Sequence, residues 1–155
     1  MAIEFEFLNP DDKPALIALS TPEYEQAARA ALVELGYKVH SVATPEDFWT
    51  RFPQVQYQVI VIEECFACQL PEQNETLSRL QWLPMSARRH ATFFLIGMAF
   101  QSMNTMQAYQ QSVHVVINPT ELGSLGPIFK KSIADNELFM NTYKDSQLRI
   151  AQGKT

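Results

Sequence analysis

The chain has 155 residues, enough for one domain with a sizeable core, and 46% of them are apolar. Its longest apolar runs, such as Ala91 to Met98, are strand-sized and fall short of the roughly 18 residues of a membrane span. The net charge is -5, and the basic residues cluster only at Arg88-Arg89-His90, so neither nucleic acid nor a membrane surface is an expected partner.

The first residues, Met1-Ala-Ile-Glu-Phe-Glu-Phe7, have no basic opening and no unbroken apolar core. They do not read as a signal peptide, and a cytoplasmic location is expected. Ile3 to Leu8 alternates apolar and acidic residues, as an edge strand would, before a turn at Asn9-Pro-Asp-Asp12. Leu16 to Leu19 is an unbroken apolar run, which suits a strand covered on both faces.

Thr21-Pro22-Glu23 combines an N-cap, a proline at the first helical position and an acid in the first turn. Tyr24, Ala28, Ala31, Leu32 and Leu35 continue as a helical stripe, closed by Gly36. Val39 to Val42 reads as a strand. Thr44-Pro45-Glu46-Asp47 then repeats the start signal for a short helix that buries Phe48, Trp49 and Phe52 and stops at Pro53.

Tyr57 to Ile62 is the next strand. Asn74 can cap a helix through Leu83 that buries Leu77, Leu80 and Trp82 or Leu83. Thr92 to Ile96 reads as a strand, Met103 to Gln111 as a weaker helix packed by Met98, Met103 and Met106, and Val113 to Ile117 as a strand. A long helical stretch runs from Ser124 or Pro127 to Ala151. Five strand–helix units predict a parallel sheet with right-handed crossovers, helices on both faces and the flavodoxin-like order 2-1-3-4-5.

In such a sheet ligands bind beyond the carboxyl ends of the strands. Those ends carry Ser20 and Thr21, Glu63 and Glu64, Gly97, and Asn118-Pro119. Tyr57-Gln-Val-Ile-Val-Ile-Glu63 resembles the third strand of response-regulator receiver domains, and Val115-Val-Ile-Asn-Pro119 resembles the fifth. The resemblance covers about residues 14 to 133. It implies one receiver-like domain over 1–155: an N-terminal edge strand and turn (1–12), the receiver core (13–133) and a C-terminal helical extension (134–155).

Receivers end these strands with an acid pair, the phosphoacceptor Asp, a Ser or Thr, and Lys-Pro. By that resemblance Ser20 and Thr21 replace the metal-binding acids, and Glu63 replaces the phosphoacceptor. Gly97 replaces the switch hydroxyl and Asn118 the lysine, and the bond from Asn118 to Pro119 is expected to be cis. Magnesium needs clustered oxygen ligands. Glu63 and Glu64 are adjacent on a strand and point apart, while Asp11-Asp12 lie roughly 20 Å off at the other end of the first strand. A pseudo-receiver is therefore expected: non-enzymatic, without cofactor or metal, and acting through protein contacts in bacterial signal transduction. An atypical phosphorylatable receiver is the alternative. Glu63 itself reads either as a fixed carboxylate that locks a signalling state or as an ordinary acid in a degenerate pocket.

Cys65-Phe-Ala-Cys68 offers a third possibility, thiol redox chemistry. It follows a strand with no clear helix start and has no second cysteine pair to complete a zinc site, so ordinary reduced thiols are the simpler reading. His40, His90 and His114 are scattered, and the five glycines form no phosphate-cradling loop. Arg88-Arg89-His90 reads as a solvated turn rather than a phosphate site.

The last helix is longer than a receiver needs. Leu138, Phe139 and Tyr143 either project and serve a homodimer or partner, together with Met106 and Tyr109, or fold back after a bend near Asp135-Asn136. Leu83-Pro-Met-Ser-Ala-Arg-Arg89 and Lys131 to Phe139 resemble a bacterial subgroup of receiver-like domains, some with an N-terminal zinc ribbon that this sequence lacks.

Overall fold

The computed structural model describes residues 12–153, apart from the Pro71 side chain. The expected strand over Ile3 to Leu8 lies outside the described residues. In chain order the elements are β1 (Lys13–Ala18), α1 (Pro22–Glu34), β2 (Tyr37–Val42), α2 (Pro45–Arg51) and β3 (Val59–Glu63). They continue with α3 (Glu75–Gln81), α4 (Met85–Arg88), β4 (Thr92–Ile96), α5 (Thr105–Gln111), β5 (Val115–Ile117) and α6 (Leu125–Ala151). The sheet runs β2-β1-β3-β4-β5 with every pair parallel, the order expected for a flavodoxin-like fold.

Local chemistry explains the boundaries. Thr21 is extended ahead of Pro22, with Glu23 and Glu25 in the first turn of α1. Gly36 takes φ 91° just beyond its end, a conformation that a side chain disfavours. Thr44 accepts the Asp47 N–H at 3.2 Å to start α2, and Asn74 accepts the Leu77 N–H at 3.0 Å to start α3.

Alternate strand residues feed two separate cores, as the period of two requires. Leu16, Ile60, Ile62, Phe93, Leu95 and Val116 face α2, α3 and α5, where Phe48, Phe52, Leu77 and Leu80 pack. Ala15, Ile17, Val59, Val61, Phe94 and Ile96 face α1 and α6, where Leu32, Phe129 and Ile133 pack. Phe94 and Phe129 meet edge-on, centroids 4.7 Å apart, and each such buried ring stabilises the fold by about 2–3 kcal/mol.

Several expectations need correction. Met98, Met103 and Met106 are exposed, because α5 is only seven residues long and turns Ala108 inward. Of the alternatives Trp82 and Leu83, it is Leu83 that packs against the core, as one of the two readings had it, while Trp82 is exposed. Arg88 is not in a solvated turn. It sits in the unexpected short helix α4, lies over the Phe93 ring and donates to the carbonyls of Leu80 and Ser112. Finally, α6 is one uninterrupted helix of 27 residues, about 40 Å long, with no break at Asp135-Asn136. Its first turns cover the sheet, and residues such as Leu138, Leu148 and Ile150 are exposed.

Candidate functional site at the strand ends

Glu63 closes β3 and is only 6% exposed. Its Oε1 accepts the Thr21 N–H at 3.0 Å. The carboxylate thereby satisfies the N-cap amide of α1, while the Thr21 hydroxyl makes no capping bond to the first turn.

Glu64 turns the other way. Its backbone N–H bonds the Ile96 carbonyl at 2.8 Å, and its side chain lies against Gly97. A Cβ at Gly97 would sit 2.3 Å from Glu64 Oε2, so a residue with a hydroxyl side chain and the present Glu64 cannot occupy this space together. Burial pushes the Glu64 carboxyl up, opposed by a bond from the Ala99 backbone, and Oε2 has no hydrogen-bond partner.

Ser20 Oγ accepts the Ala67 N–H at 2.8 Å, tying the end of β1 to the loop after β3, where Ala67 has φ 55°. Asn118 donates from Nδ2 to the carbonyls of Met98 and Phe100, at 3.3 and 2.8 Å. Its Oδ1 accepts from the Thr120 amide at 2.9 Å and hydroxyl at 2.7 Å. This side chain holds the loop after β4 instead of reaching across the strand ends.

The bond from Asn118 to Pro119 is trans, contrary to expectation. Asn118 is extended and caps a 3-10 turn, Pro119–Ser124, with the proline at its start, where a missing N–H and a fixed φ are both favourable.

Two further residues organise the site. Asn74 is buried and donates from Nδ2 to the carbonyls of both Glu63 and Glu64, at 3.0 Å each, while capping α3 with its Oδ1. Ser102 Oγ accepts the Asn118 N–H at 2.8 Å. In the sequence Asn74 reads only as a helix cap, and nothing marks Ser102.

The donor set does not fit the magnesium ion that receivers use. One Glu63 oxygen caps α1, Glu64 points toward Gly97, and Ser20 is bonded to Ala67. Asp12 precedes β1 at the opposite end of that strand. Among the described residues no three His, Cys, Asp or Glu side chains come together for a metal.

Cys65 and Cys68 sit in a turn closed by a 3.3 Å bond between their backbones. Burial raises both thiol pKa values. Nearby charge raises them further, from Glu64, Glu63 and Glu72 around Cys65 and from Cys65, Glu63 and Glu72 around Cys68. A redox dithiol needs the opposite shift.

No protein-family model and no curated protein matches the chain. Solved structures do match. A response regulator from Thermotoga maritima aligns over 79% of this chain and 98% of its own, with TM-score 0.61 and 14% identity. A CheY-like receiver domain from Methanospirillum hungatei aligns over 82% and 98%, with TM-score 0.62 and 14% identity. A response regulator from Hahella chejuensis aligns over 81% and 98%, with TM-score 0.60 and 14% identity.

The fold is the receiver fold.

At these identities the likeness concerns architecture, and the side chains at the strand ends must speak for themselves. They hold this receiver fold's loops together through Ser20, Glu63, Asn74 and Asn118. Among the described residues no helix is long and apolar enough to cross a membrane.

Proposed function

We propose that this domain is a pseudo-receiver: a non-catalytic module of bacterial signal transduction that acts in the cytoplasm through protein contacts. It carries out neither aspartate phosphorylation nor magnesium-dependent phosphotransfer. One observation carries the reading. The polar side chains that a receiver would turn toward a phosphoryl group instead bind the loops around them: Ser20 to Ala67, Glu63 to Thr21, and Asn118 to Met98 and Phe100. An acyl phosphate formed there would meet no lysine or arginine among these strand-end residues to offset its charge.

The surface for contacts lies on the flank made by α5, β5 and α6. Met106 and Tyr109 on α5 are 64% and 82% exposed, and Leu138 and Phe139 on α6 are 70% and 69% exposed. Between the two helices runs a groove where Met103, Val115 and Phe139 lie among polar residues, including Asn104, His114, Ser132 and Asp135. Apolar side chains grouped in this way favour a protein partner, and a second copy joined through α6 is the simplest one. Tyr143 belongs less to this surface, because its hydroxyl accepts from Arg89 and Gln147.

Titration with beryllofluoride or acetyl phosphate in the presence of magnesium tests the reading. No spectral change and no mass increase are expected at millimolar reagent. An acyl phosphate found by intact-mass measurement overturns the proposal in favour of an atypical phosphorylatable receiver. Sedimentation at several concentrations tests the homodimer, which a strictly monomeric protein rules out.

A further inference from the structure

The opposite end of the sheet carries a different concavity. The second half of α6 runs past the first residues of β3 and β4, and a groove of about 570 Å³ lies between them, within the usual size range of small-molecule sites. The cations Arg89 and Lys144 line it against a single carboxylate, Glu137, beside His90, whose pKa burial lowers. In a chain of net charge -5 this is a local reversal of sign. Arg89 and Lys144 make no ion pair among the described residues. Amide side chains, among them Gln56, Gln58 and Asn141, supply neutral donors and acceptors around these cations.

The walls are already held in place. Arg89 lies 5.3 Å above the Tyr143 ring and donates to its hydroxyl, and Gln147 donates to the same oxygen at 2.9 Å. Asn136 donates to Thr92 Oγ1 at 2.9 Å, fastening α6 to the start of β4. With two donors on its oxygen, the Tyr143 hydroxyl keeps its own proton to give to a ligand. The guanidinium of Arg89 retains further N–H groups, and the Lys144 ammonium has three. Such donors suit the several oxygens of a phosphate. Ile133 and Met140 add apolar surface beside them.

We propose that this groove binds a small phosphorylated organic molecule, its phosphate held by Arg89 and Lys144 and its polar remainder by the amides. The site lies at the other pole from the strand ends, so it stands or falls independently of the pseudo-receiver reading.

The test is calorimetry on the full chain with ADP, glucose 6-phosphate and inorganic phosphate as probes. One organic phosphate should bind at least about tenfold tighter than inorganic phosphate, showing whether the remainder is a nucleoside or a sugar. Arg89→Ala and Lys144→Gln should each weaken that binding about tenfold. Lys144→Gln covers the case in which loss of the Arg89–Tyr143 contact loosens α6. Absence of binding by either organic probe below about 5 mM overturns the proposal. So does binding no tighter than that of inorganic phosphate, or binding that survives both substitutions.

Discussion

The strand-end pole and the α5–β5–α6 flank use their side chains in opposite ways. At the pole, Ser20, Glu63, Asn74 and Asn118 each bond a neighbouring segment, so most of the local hydrogen-bonding capacity is satisfied within the chain. On the flank, Met106, Tyr109, Leu138 and Phe139 remain exposed, with apolar area that no described residue covers. The strand ends of this receiver fold are thus braced by their own polar side chains, while the flank presents exposed apolar ones. Removing a brace should cost stability, whereas altering the flank should cost association.

The largest loss is expected for Asn74→Ala. This buried amide makes three bonds to Glu63, Glu64 and Leu77. Removing it strips a helix cap and leaves two carbonyls short of a donor, about 3 kcal/mol together, or roughly 9 °C in Tm. A thermal melt unchanged within error would show that the pole is not braced as described.

Gly97→Ser comes next. It restores the hydroxyl of the receiver pattern but drives a Cβ into Glu64, and overpacking of this kind costs about 2 kcal/mol. Glu64→Ala should relieve most of that cost, so the double-mutant cycle should show a favourable coupling of about 1–2 kcal/mol. Additive losses would mean that Glu64 does not set the residue at position 97.

Glu63 sharpens the contrast further. Glu63→Gln keeps an oxygen for the Thr21 N–H and should shift stability by no more than about 0.5 kcal/mol, while Glu63→Ala should cost about 1 kcal/mol. If partner binding collapses in Glu63→Gln while the melt stays put, the carboxylate charge is a signalling feature and not a helix cap. On the flank the pattern reverses. Leu138→Lys with Phe139→Lys should leave the urea midpoint within about 0.5 kcal/mol of the parent but shift the sedimentation of any dimer to that of a monomer.

The sheet order and nearly all of the elements were legible in the sequence because they rest on local signals. Continuous apolar runs mark strands buried on both faces, and Thr-Pro-Glu marks the starts of α1 and α2. The positions of Ser20, Glu63, Gly97 and Asn118 at the strand ends were legible for the same reason. Their partners were not, since Ser20 reaches 47 residues along the chain to Ala67 and Glu63 reaches 42 back to Thr21. The short α4 and the inward turn of Arg88 were also hidden. An Arg88 guanidinium stacked on Phe93 and bonded to Leu80 and Ser112 depends on three separate segments meeting. The methionines misled because an apolar residue near a helix is read as core, and only the packed domain shows that these face outward.

The last prediction is read through pH and concerns His114, at the border between the braced sheet and the open flank. The residue keeps an edge open to solvent, but its imidazole packs inward: Nδ1 accepts the Phe93 N–H at 2.9 Å and the ring stacks on Phe93. An acceptor nitrogen cannot also carry a proton. Burial, aided by the Arg88 charge, lowers this pKa to about 4. Between pH 6.5 and about 4 the unfolded chain therefore binds a proton that the folded chain refuses, and stability falls as pH falls through that window. Glu64 works against the trend. Its raised pKa makes the folded state the better proton acceptor above the ordinary carboxylate range, so its contribution grows as the solution is acidified. Urea melts across the window should give a shallower decline for His114→Gln and a steeper one for Glu64→Gln. NMR titration of the His114 ring gives the direct check: its signals should stay those of the neutral form until the pH approaches about 4. A midpoint near the ordinary value of about 6.5 would mean that the Phe93 amide is not bonded to the imidazole.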